Sequence, residues 1–94
     1  MSDSNLMTMR NWSVDITIAE RDGHTHARAR LHTDDATALE ATGIARLRST
    51  ERDVPEIGEE LAAARALAAL AHLLLDTAAD DLEGVTHAPV TLVE

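Results

Sequence analysis

From Trp12 to His32 apolar and polar residues alternate around one Asp-Gly pair, and few structures satisfy that pattern. Trp12, Val14, Ile16 and Ile18 fall on one side of an extended segment, Ser13, Asp15 and Thr17 on the other. A period of two puts successive side chains on opposite faces of a pleated strand, so the segment predicts a half-buried strand. Asp22-Gly23 predicts a tight hairpin, because both residues tolerate positive φ. His24–His32 then forms the return strand. Thr25, Ala27, Ala29 and Leu31 make its inner face, and His24, His26, Arg28, Arg30 and His32 its outer face.

A third strand is expected over Leu39–Arg48 after the polar connection Thr33–Thr37. Leu39, Ala41, Gly43, Ala45 and Leu47 would face inward, and Glu40, Thr42, Ile44, Arg46 and Arg48 outward. Gly43 in mid-strand suggests a bulge or a close approach by the helix, and Ile44 then lies on the polar side, which a bulge would correct. The period changes after the charged loop Ser49–Asp53. Asp53 caps, Pro55 fits a first turn, and Glu56 follows the cap by three residues, which together open a helix. The helix is expected to reach about Asp76, or Glu83 with Gly84 ending it. Its main apolar stripe includes Ile57, Leu61, Ala64, Leu67, Ala68 and Ala71, continues to Leu74, Leu75 and Ala78, and is expected to pack on the sheet. The fold class is therefore α+β: a three-stranded antiparallel sheet with one long C-terminal amphipathic helix on one face. Residues 1–10 are polar and aperiodic and read as a mobile tail. Residues 11–94 make a single domain, with Val85–Glu94 extended along it.

Composition narrows the function. The chain has no Phe, Tyr or Cys, and Trp12 is its only aromatic residue. Without the large buried areas that aromatics supply, a core of Ala and Leu gives modest stability and favours association. The absence of cysteine excludes disulfides and thiolate chemistry. No signal-peptide run and no uninterrupted apolar run of about 20 residues is present, so a cytoplasmic protein with no membrane partner is expected. The net charge of −9 opposes general nucleic-acid binding.

Three constellations are candidates for function. Arg28, Arg30, Arg46 and Arg48 share the outer sheet face and form a candidate anion-binding surface. The competing reading is a solvated face whose charges pair locally with Asp15 and Glu40. His24 and His26, two apart on one strand face, are weak metal candidates without a clear third ligand. Ala62, Ala66, Ala69 and Leu73, roughly opposite the sheet-facing stripe, are candidates for self-association, against the alternative that alanine is simply the best helix former. No catalytic arrangement, metal site or cofactor motif can be assigned, so the chain is not expected to be an enzyme.

The chain resembles an actinobacterial family of small uncharacterised proteins with a double-stranded-RNA-binding-domain-like fold. Four segments carry the resemblance: Trp12–Ile18, Gly43–Leu47, Ile57–Leu67 and Thr86–Val90. It implies a β-β-β-α core and no known activity. Members of that fold that bind RNA place lysines at the helix start, where this chain has the acidic Glu56-Ile57-Gly58-Glu59-Glu60. The expected function is a non-enzymatic, self-associating interaction or regulatory module, with a homodimer or a protein as partner. The alternative is RNA or other polyanion binding through the arginine-rich face.

Overall fold

The computed structural model describes residues 7–34, 37–46, 55–87 and 89–93. Three strands and one helix follow in order: β1 (Ser13–Arg21), β2 (His24–His32), β3 (Thr37–Arg46) and α1 (Pro55–Thr86). The sheet is antiparallel with β2 in the middle. Asp22 and Gly23 have φ of 52° and 77°, the two consecutive left-handed residues of a type I′ turn. Arg21 therefore pairs with His24, and the register continues without a break to Ser13 opposite His32.

Directly opposed residues share a face, so this register carries the alternation across all three strands. Val14, Ile16 and Ile18 lie beside Leu31, Ala29 and Ala27, which lie beside Leu39, Ala41 and Gly43. Of the two readings of Gly43, the bulge does not occur and the close approach of the helix does. The one register shift falls between Leu31 and His32, and Ile44 stays half-exposed on the outer face. The expected Leu47 and Arg48, the loop to Asp53 and its cap lie outside the described residues.

Gly43 shows why α1 lies where it does. A Cβ there would sit 2.3 Å from Ala66 N and 2.5 Å from Ala62 O. The helix backbone rests on this strand, and only small residues permit that approach. Ala62 and Ala66 are 0% exposed and join Ala27, Ala29, Leu31, Ala41, Ala45 and Leu70 in the core. The helix is thus rotated from the expectation over its first half. Of the residues assigned to the back as self-association candidates, Ala62, Ala66 and Ala69 face the sheet and Leu73 stays exposed; of the expected inner stripe, Ile57, Leu61 and Leu67 are exposed, whereas Leu74 packs on the core beside Leu70. Steric fit at the glycine outweighs the larger apolar area of the leucine side.

The helix is longer than expected. It passes through Gly84 and ends at Thr86. His87, at φ 60°, takes the left-handed position, and its N–H donates to Glu83 O at 2.7 Å. That single bond closes the helix in place of a glycine cap. Leu74 is the last residue packed on the core. The remaining dozen residues, about 18 Å of helix, extend past it.

Candidate interaction surfaces

The sheet is not evenly covered. α1 packs on β3 and β2 and barely reaches β1. Val14, Ile16 and Ile18 point to the helix side of the sheet, as the alternation requires, yet remain 40%, 39% and 38% exposed. Trp12 lies just before β1, 56% exposed, and is not part of a core. The alternation expected for Val14, Ile16 and Ile18 holds, but nothing among the described residues covers them.

A second apolar surface runs along the back of α1. Ile57 is 54% exposed, and Leu61, Ala64, Ala68 and Ala71 are exposed with it. The spacing of 57, 61, 64, 68, 71, 75, 78 and 82 alternates four and three, the heptad rhythm that keeps one seam of a helix toward a partner. This rhythm is legible in the sequence. What the sequence leaves open is which side of the helix meets the sheet. By length and composition, Glu56–Thr86 is also long and apolar enough to cross a bilayer.

The outer sheet face carries the predicted charges and pairs part of them locally. Glu40 lies between two arginines: its Oε1 accepts from Arg30 Nε at 3.0 Å, and its Oε2 is 3.6 Å from Arg28 Nε. His32 Nε2 is 2.7 Å from Asp15 Oδ2. Of the four arginines proposed from the sequence, three can be placed on this face. Arg28 and Arg30 are paired, Arg46 stands two rungs away, and Arg48 lies outside the described residues.

The register instead builds a cationic rung that residue counting missed. Arg21, His24 and Arg46 are neighbours across the three strands at the hairpin end. Among the described residues neither arginine has an ion-pair partner. Arg21 belongs to the first strand and escaped notice because the pairing, not the spacing, brings it to Arg46. His24 Nδ1 lies 3.0 Å from Asp22 O, and its ring centre is 6.3 Å from that of His26. Among the described residues no three His, Asp or Glu side chains are grouped to hold a metal ion.

Comparison with known proteins gives a consistent family. A family model described as Rv2632c-like matches residues 10–91. The uncharacterised protein Mb1767 of Mycobacterium bovis is 43% identical, over 97% of this chain and 96% of its own. The uncharacterised protein Rv2632c of Mycobacterium tuberculosis is 42% identical over 83% of each chain. The crystal structure of Rv2632c superposes with a TM-score of 0.78 at 37% identity, covering 88% of this chain and 98% of that one. Sequence, strand order and the long C-terminal helix agree in placing this chain in the Rv2632c-like family of uncharacterised actinobacterial proteins.

Proposed function

We propose that this protein is a non-enzymatic interaction module that works as a homodimer. The observation that carries the reading is the surface that one chain leaves open. It exposes 7380 Å², where a compact monomer of its mass exposes about 5300 Å². Its radius of gyration is 18.2 Å, against about 12 Å for a compact domain of this length. Obligate dimers bury about 2000 Å² or more in total, roughly 1000 Å² from each chain, so the excess suffices for such an interface.

A bilayer is the weaker occupant for the helix back. Asp76, Asp80, Asp81 and Glu83 lie within the same 32-residue helix. A span centred near Leu70 would also place Arg65 and Asp76 inside the hydrocarbon, where charged side chains cost up to roughly 2.5–3.5 kcal/mol each. A second protein surface can leave those carboxylates in water while covering the apolar stripe. Sedimentation equilibrium tests the reading: a mass of two chains is expected at micromolar concentration. A mass of one chain, about 10.1 kDa, would remove it.

A second reading rests on the rung of Arg21, His24 and Arg46. Two guanidinium groups without carboxylate partners among the described residues can each hold a phosphate oxygen pair, which suits a polyanion such as RNA. The outer face offers imidazole rings but no Phe, Tyr or Trp for bases to stack on among the described residues. Any such contact therefore grips the backbone and not the sequence.

A further inference from the structure

We infer that two chains dock reciprocally, the back of each α1 lying on the uncovered β1 face of the other. This geometry rests on the homodimer reading above and goes beyond it by naming both surfaces. A seam of helix backs alone would bury Ile57, Leu61 and Leu75 but leave Val14, Ile16 and Ile18 in water. Pairing of two β1 edges would leave the helix backs open. A two-fold dimer must use the same two patches in both directions. Only a helix-to-sheet exchange closes both apolar patches in one interface.

The shapes of the patches agree with that exchange. Within one chain α1 meets the sheet through small residues on both sides, Ala62 and Ala66 against Gly43 and its neighbours. The back of α1 is also small at its centre, at Ala64, Ala68 and Ala71. The β1 face presents the larger Val14, Ile16 and Ile18. Large side chains on one patch and small ones on the other allow interdigitation at interior density. The resulting sandwich has two helices side by side between two sheets. Each helix is then covered on two faces, which accounts for a long helix with apolar residues on the side away from its own sheet as well as on the side toward it. The surface excess of one chain exceeds the roughly 1000 Å² that each partner of such an interface must bury.

The chain lacks cysteine, so disulfide mapping has no background. Ile16→Cys is combined in turn with Ala64→Cys, Ala68→Cys and Ala71→Cys, and each single variant is made alongside. Mass before oxidation is read by sedimentation, and fold by circular dichroism. The expected result is a two-chain mass throughout, with covalent dimer as the main oxidised species for at least one double variant and little for any single variant. A covalent dimer from Ala68→Cys alone would mean that helix back meets helix back, and one from Ile16→Cys alone that β1 meets β1. Either result, or a two-chain mass without any cross-link, overturns the reciprocal geometry and leaves the homodimer standing. A one-chain mass for the unmodified protein overturns both.

Discussion

Gly43 is the residue on which the packing of α1 turns. Its missing side chain lets the backbone of Ala62, Arg65 and Ala66 come within what would be 2.8 Å of a Cβ. Gly43→Ala therefore pushes against backbone, and the helix has to lift off β3. The expected loss is about 3 kcal/mol or more, above the usual cost of overpacking because no side chain can yield. Gly58→Ala is the control. There the nearest atom is the Thr25 hydroxyl oxygen at 2.8 Å, a single side-chain atom, and alanine improves helix propensity. Its expected loss is about 1 kcal/mol or less. Urea unfolding of the two variants at matched protein concentration checks the difference. Equal losses would show that α1 is not seated on β3 at Gly43. Arg65 adds a second tie at the same place, donating from Nη1 to Ile44 O at 2.7 Å on the free edge of β3.

At the scale of the elements, α1 is a helix whose far end is poorly matched to its surroundings. It has no basic residue in its last turn, although cations there are favoured by the helix dipole. His87 holds the left-handed position that glycine takes more easily. His87→Gly is expected to stabilise that end by about 0.5–1 kcal/mol. Slower amide exchange over residues 83–87 is the readout, and unchanged or faster exchange would contradict the cap. This element also shows how far the sequence could be read. The strands, the Asp-Gly turn and the facing of the inner residues of β2 and of β3 as far as Ala45 followed from alternation, because a period of two allows only two assignments. The helix had apolar residues around most of its circumference, so periodicity alone could not say which arc meets the sheet. The information lay in Gly43, a residue of another element, as a demand for small partners. Gly84, the expected stop, failed because it lies in helical conformation while His87 bends the chain. The cationic rung was hidden for a similar reason: Arg21 and Arg46 are 25 positions apart and meet only through the register.

The whole molecule carries a net charge of −9, and this separates the two readings of its function. Two copies brought together repel at long range, while the contact itself is apolar. Added salt screens the repulsion, with a Debye length falling from about 14 Å near 50 mM to about 4 Å near 500 mM. It does not weaken apolar contact. The homodimer should therefore tighten between those salt concentrations, seen as a lower dissociation constant in sedimentation equilibrium. Polyanion binding at Arg21 and Arg46 must do the opposite, because each neutralised phosphate releases counterions that salt drives back. With two arginines per chain, retention on immobilised RNA should be confined to low salt and be lost in an Arg21→Ala, Arg46→Ala variant that keeps its mass. A mass that falls as salt rises would mean that ion pairs, not Val14, Ile16, Ile18 and the helix back, hold the chains together. Retention that persists at high salt would require a recognition surface other than the cationic rung. The two measurements move in opposite directions on one protein sample, so each reading can fail without the other.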